Sequence, residues 1–166
     1  MTRAVPETRG WAAKMTTPFA TLGLVTDGGR LIQVRYLPRD DPAQAPSDAV
    51  AEVAIREIER YLADPQHPID IPLAPKGTPF QRRAWAAIAA IPPGESRTYG
   101  ELARRLVSAA RAVGQACGAN PLALVVPCHR VVGSRGELGG FMHAAAGDPV
   151  VIKRWLLQHE GYRFGQ

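Results

Sequence analysis

Cysteine is nearly absent: Cys117 and Cys128 are the only two in 166 residues. Two thiols do not make a disulfide framework, so the chain reads as a protein of a reducing cytoplasm. Long apolar runs are missing as well. None approaches the ~20 residues of a membrane-spanning helix, and the first residues lack the apolar core of a signal peptide. His67 has no Cys or His close by in sequence, which argues against a zinc site there. Nothing in the residue pattern demands a metal or an organic cofactor. Acidic residues are scarce in one half only. Residues 1–75 hold 8 Lys/Arg against 10 Asp/Glu, and residues 76–166 hold 12 against 5. The second half is therefore basic in its own right, mostly through arginine, which suits a polyanion such as nucleic acid. Solvated surface charge would give the same count.

What is present is enough for a core, since 46% of the residues are hydrophobic. The length fits one domain or two small ones. Residues 1–17 show no clear periodicity and are expected to be mobile. Met15, where the readable structure begins, is a candidate translation start. Phe19 to Thr26 and Leu31 to Leu37 read as strands joined at Asp27-Gly28-Gly29, because glycine accepts a positive φ. Ser47 or Asp48 can cap a helix to about Leu62, with Val50, Ala54, Ile58 and Leu62 on its buried face. Ile69 to Ile71 is expected to add a short strand. The charge balance changes at Pro72–Gly77, which reads as a linker.

The second half is mainly helical. The first helix there spans Pro79 to Ile91, with Phe80, Ala84, Ile88 and Ile91 on one stripe, and Pro92-Pro93-Gly94 ends it. Thr98 and Glu101 form a capping-box pattern for a helix to about Val107. Ser108 can cap the next, Ala109 to Ala119. Two short helices around a tight turn suggest a helix-turn-helix. The second is made of small residues, with Arg111 and Gln115 as its long polar side chains. Glycine weakens a helix interior by about 1 kcal/mol, so close approach to another backbone is a plausible return. That backbone is either a partner's or another helix of this protein.

An apolar run, Leu122 to Val126, then leads into Pro127-Cys128-His129-Arg130-Val131-Val132. A neighbouring imidazole or positive charge favours the thiolate, the nucleophilic form of cysteine. Read alone, Cys128 is equally an ordinary buried thiol. Val131-Val132 and Leu138 could pair as a hairpin around Ser134-Arg135-Gly136, the wing of a winged helix, before a loop from 139 to 147. Asp148 and Pro149 open the last helix, with Ile152, Trp155, Leu156 and His159 at core spacing and Gly161 terminating it. Glu160 sits at the end of the helix dipole that disfavours a carboxylate; a partner such as His129 would explain it.

These residues together resemble the O6-alkylguanine-DNA alkyltransferases. The likeness runs from Gly77 to Gly161. It rests on Pro127-Cys128-His129-Arg130-Val131-Val132 occurring in order with Gly77-Thr78-Pro79-Phe80-Gln81-Arg82, Thr98-Tyr99-Gly100-Glu101-Leu102-Ala103, Ala110-Arg111-Ala112-Val113-Gly114, Asn120-Pro121 and Trp155-Leu156-Leu157-Gln158-His159-Glu160-Gly161. The resemblance implies an α+β protein: a flexible stretch at 1–17, a ribonuclease-H-like α/β domain at 18–75 and a winged-helix DNA-binding domain at 76–166. It implies a monomer that acts on double-stranded DNA containing O6-alkylguanine, with O4-alkylthymine left open. The alkyl group would pass once, irreversibly, to Cys128. His129, through a water, and Glu160 would hold Cys128 as thiolate, and Asn120 would tether the helix-turn-helix to the cysteine segment. Tyr99 would press on the phosphate beside the lesion and donate to the guanine. Arg111 would fill the gap left by an extruded nucleotide. Ala112, Gly114 and Gln115 would enter the minor groove, and Arg130, Val131, Phe141 and Met142 would meet the DNA or the base.

The likeness departs from the family at Gly140-Phe141-Met142-His143-Ala144. A Gly-Gly pair usual there is missing, and about five extra residues precede the last helix. Three other readings compete: a damage sensor that binds without transfer, a sequence-specific regulator, and a Cys-His hydrolase. Relatives of the sensor kind lack the acceptor cysteine. Arg111 and Gln115 are poor equipment for reading sequence. No oxyanion-hole glycine motif accompanies Cys128.

Overall fold

A computed structural model describes residues 10–138 and 148–164 of the chain. The first half is a three-stranded antiparallel sheet in the order β1-β2-β3 with one helix on it. Strand β1 spans Ala13–Thr16, β2 Thr21–Asp27 and β3 Arg30–Leu37. The β2–β3 hairpin turns on Gly28 (φ 58°) and Gly29 (φ 79°), a pair of positive φ values that β-carbons would oppose.

Strand β1 corrects the expectation that residues 1–17 are mobile. Ala13 and Met15 point inward and Lys14 and Thr16 outward, an alternation too short to stand out in the sequence. Ala12 is buried and its N–H donates to the Leu24 carbonyl at 2.8 Å, so ordered structure extends upstream of Met15. The expected strand at Ile69–Ile71 does not form; instead the next residues, Pro72 to Ala74, lie along Leu31, with a bridge at Leu73.

Helix α1 (Ala49–Ala63) is capped by the Asp48 carboxylate, which accepts from the Ala51 N–H at 2.8 Å. Its buried stripe is Ala51, Ala54, Ile58 and Tyr61, rotated from the expected one so that a tyrosine replaces Leu62 at the core. Helix α2 (Pro79–Ala89) starts with a Thr78–Gln81 capping box and buries Ala84, Trp85 and Ile88. The Trp85 indole N–H donates to the Ala116 carbonyl at 2.8 Å, fixing α2 against a later helix.

Strand β4 (Arg97–Thr98) leads into α3 (Tyr99–Arg105), which has the expected Thr98–Glu101 capping box. Helix α4 (Ala110–Gly118) follows a turn in which Val107 takes φ 53°. Ala109, not Ser108, is the N-cap, and it offers no side-chain bond. A single 3₁₀ turn at Cys128–Arg130 runs into β5 (Val131–Val132). The expected hairpin with Leu138 is replaced by a parallel pairing with β4, Arg97 to Val131 and Thr98 to Val132. Residues 133–137 still close a turn, with the Gly133 N–H on the Glu137 carbonyl at 2.8 Å. Helix α5 spans Asp148–His159. The loop 139–147, with Phe141 and Met142, and the Asp148 side chain lie outside the described residues.

Buried residues of both halves form one continuous core, from Ala12 to Leu156. Burying a side chain such as Leu22, Leu24 or Leu122 stabilises by about 1.5–3 kcal/mol. The halves are also joined by backbone bonds. The Val34 N–H donates to Pro121 and the Ala123 N–H to Val34, so β3 lies beside the segment that leads to Cys128. Among the described residues no helix is long and apolar enough to cross a membrane.

Candidate active site

Three local structures deliver Cys128. The Val34–Leu122 bridge holds the segment from the sheet side. Leu124, buried and at φ 69°, bends it; a left-handed leucine costs roughly 1–2 kcal/mol and persists only where packing fixes it. Asn120 closes the loop. Its Nδ2 donates to the Val126 carbonyl at 3.0 Å and to the Cys128 sulfur at 3.4 Å, while Oδ1 accepts from the Leu122 N–H at 2.9 Å. Asn120, two residues after α4, thus holds the loop that leads to Cys128. Cys128 itself is 3% exposed.

Behind Cys128 lies a fully used carboxylate. Glu160 Oε2 accepts from the Tyr61 hydroxyl at 2.6 Å and from Arg130 Nη2 at 3.2 Å, and lies 2.7 Å from His129 Nε2. Oε1 accepts from Arg130 Nε at 2.7 Å and from the Gly94 N–H at 3.4 Å. Burial opposes ionisation of Glu160, but hydrogen bonds and charge from His129 and Arg130 outweigh it and hold its pKa at about 2. The carboxylate only accepts, so His129 Nε2 carries the proton. Burial lowers the His129 pKa against the pull of Glu160. A neutral ring then leaves Nδ1 as the acceptor, and Nδ1 is buried with no hydrogen-bonding partner among the described residues.

Arg130 corrects the expectation of a DNA contact. Its guanidinium is buried, spans both Glu160 oxygens and donates through Nη1 to the Ile91 carbonyl at 2.7 Å. The carboxylate offers a planar fork that the guanidinium matches, which water at the surface cannot do as well. Val131 is buried, and its carbonyl accepts from Lys153 Nζ at 2.7 Å.

The parallel β4–β5 pair sets the start of α3 beside the cysteine segment, and with it Tyr99. Burial raises the Tyr99 pKa, and the nearby thiols raise it further; the hydroxyl keeps its proton. Lys153 Nζ lies 5.8 Å from the Tyr99 ring centre.

Helix α4 is built differently. Val113 and Ala116 face the core, while Arg111 and Gln115 are exposed and Ala112 and Gly114 half-exposed. A β-carbon on Gly114 would meet nothing within 4 Å. Packing against another helix of this protein therefore does not explain that glycine.

Three further residues reach this region that the sequence did not single out for it. Cys117, half-buried at the end of α4, lies near enough to Cys128 for each thiol to shift the other, Cys117 below and Cys128 well above an ordinary thiol. Burial lowers the Lys153 pKa to about 8 against the pull of both thiols. Its signal was a lysine within the core spacing of α5. Tyr61, a tyrosine in the α1 stripe, crosses from the other half; nothing local pointed to Glu160.

Comparison with known proteins gives a family. Residues 79–162 match the model of the 6-O-methylguanine DNA methyltransferase, DNA binding domain. A methylated-DNA–protein-cysteine methyltransferase of Methanosarcina acetivorans is 47% identical over 110 residues, 65% of this chain and 67% of the relative. One of Methanosarcina mazei is 40% identical over 152 residues, 87% of this chain and 92% of the relative. The solved structure of Mycobacterium tuberculosis OGT in complex with DNA superposes with a TM-score of 0.75 at 35% identity, covering 89% of this chain and 91% of that one. On sequence and fold alike, this chain belongs to the O6-methylguanine DNA methyltransferase family.

Proposed function

We propose that the protein repairs O6-alkylguanine in double-stranded DNA by taking the alkyl group onto Cys128, once per molecule. The observation that carries this is a buried cysteine held by Asn120 and followed in the chain by a buried histidine fixed on Glu160. His129 Nδ1, through a bridging water, takes the Cys128 proton, and the thiolate attacks the alkyl carbon in line. The S–C bond forms as the C–O6 bond breaks, and the electron pair leaves with guanine. The Tyr99 hydroxyl, kept protonated by burial, donates to that leaving group. The product is a thioether with no good leaving group, so the protein is consumed.

A base inside the stack is out of reach, so the nucleotide turns out of the helix into the pocket. Helices α3 and α4 act as the helix-turn-helix. Ala112, Gly114 and Gln115 enter a minor groove only ~6 Å wide, and Arg111 occupies the vacated position. The exposed face of α4 supports this, because its small residues leave open space. Phe141 and Met142 belong to the base-binding residues of this reading.

Incubation with an oligonucleotide containing O6-methylguanine tests the reading by intact mass. The expected result is a gain of one methyl group on Cys128, absent in Cys128→Ser. Tight binding with unchanged mass would reject transfer.

A further inference from the structure

One hydroxyl from the first half of the chain reaches the site, and the mechanism above leaves it unused. Tyr61 of α1 is fully buried, and its hydroxyl donates to Glu160 Oε2 at 2.6 Å. The same oxygen lies 2.7 Å from His129 Nε2. Tyr61 is held at its other end as well. Its carbonyl, in the last turn of α1, accepts from His159 Nε2 at 2.9 Å, and the two rings meet edge to face at 5.2 Å. His159 and Glu160 thus grip one tyrosine by its backbone and its hydroxyl. We propose that Tyr61 is a positioning residue for alkyl transfer: its hydroxyl shares Glu160 Oε2 with His129, and so keeps the imidazole a neutral Nε2–H ring whose Nδ1 can take the Cys128 proton. The inference rests on Cys128 being the acceptor and His129 its base.

A packing role needs only the ring. Phenylalanine would fill a stripe with Ala51, Ala54 and Ile58 as well as tyrosine does, and a buried hydroxyl costs free energy unless it is bonded. The bond here is short and charge-assisted, the stronger kind. It falls on the oxygen that faces the imidazole. A buried carboxylate beside a histidine draws a second proton onto the ring, because an imidazolium would neutralise it. Each further donor on that oxygen takes up part of its charge and weakens the draw. A ring that gained the second proton would have no lone pair at Nδ1 and could not act as a base.

The other groups around the ring stay in place when the hydroxyl is removed. Burial lowers the His129 pKa, Glu160 opposes that, and the cations Arg130 and Lys153 add to it. Arg130 is bonded to Glu160 and Ile91, and Lys153 to Val131. Burial and the charge of Glu160 raise the Tyr61 pKa, so the phenol keeps its proton. Tyr36 of β3 lies near Glu160 and Tyr61 and is likewise kept neutral by burial.

The wild type is tested first, by NMR of the imidazole nitrogens. The expected His129 ring at pH 7 is neutral and protonated at Nε2; an imidazolium or an Nδ1–H tautomer overturns the proposal. Tyr61→Phe then removes the hydroxyl and keeps the ring. It should raise the His129 midpoint by about one pH unit and slow single-turnover transfer from O6-methylguanine duplex DNA by about tenfold below both midpoints. The deficit should close as pH rises through the variant's midpoint. A midpoint unchanged or lowered overturns the proposal, and so does a deficit of the same size at every pH, the mark of a merely structural tyrosine. If Tyr61→Phe does not fold, a ring-fluorinated tyrosine at position 61, a stronger donor of nearly the same shape, must lower the midpoint instead; no change or a rise overturns. Absence of transfer in the wild type rejects Cys128 as acceptor whatever the midpoints, whereas transfer with an unshifted midpoint removes only the role of Tyr61.

Discussion

The pocket behind Cys128 and the outer face of α4 are built on opposite terms. Around Glu160 every oxygen is committed, to Tyr61, Gly94, His129 and Arg130. On α4, Gly114 faces open space, and Arg111 and Gln115 are exposed. The first region spends its polar groups on one another and fixes a geometry. The second leaves its groups unspent. A reacting thiol needs preorganised surroundings, whereas a groove-binding helix needs an empty face, so damage to the two regions should have different signatures.

Glu160→Ala should have the largest effect. It leaves Arg130 buried without its carboxylate, a loss of about 3–5 kcal/mol by denaturant unfolding; a loss under 1 kcal/mol would mean that the network is not the fixed unit described. Asn120→Ala follows, at about 1–3 kcal/mol, since Leu122 N–H and the Val126 carbonyl lose their partner. Iodoacetamide labelling of Cys128 should change with it.

Acid should act on the pocket and not on the outer face of α4, which carries no carboxylate. The folded Glu160 has a pKa of about 2, below its ordinary 4.5. The unfolded chain therefore binds that proton first. The contribution is complete above the ordinary carboxylate value and is lost as pH falls towards about 2. Glu160→Gln should flatten that slope in acid-unfolding curves, and an unchanged slope would contradict the assignment.

Smallest in stability are the changes on α4. Arg111→Ala should alter unfolding by no more than about 0.5 kcal/mol, yet lower transfer from duplex DNA more than from free O6-benzylguanine. Gly114→Ala should stabilise the helix by up to about 1 kcal/mol and still weaken duplex repair. If either variant loses stability instead, the face is not free.

Local signals were the legible part of this molecule. The Gly28-Gly29 turn, the Asp48 cap and the Thr98–Glu101 box depend on residues within a few positions of each other, and each formed as expected. Strand β1 was missed because four residues carry too little periodicity. The β4–β5 pairing was missed because a parallel pair of two-residue strands leaves no turn between them to read. At the site, Asn120 and the His129–Glu160 partnership could be anticipated. The inward turn of Arg130 could not, because arginine beside a cysteine reads equally as a DNA contact. Tyr61 came from a contact that only the folded chain creates.

The Tyr61–Glu160 bond has a consequence for how the two halves depend on each other. It joins residues 99 apart, and the His159–Tyr61 bond joins residues 98 apart. Contacts so distant require long loop closures. Glu160 owes its low pKa to His129 and Arg130, 31 and 30 residues away, so the charge of the pocket is set within the second half while Tyr61 ties that pocket to the first.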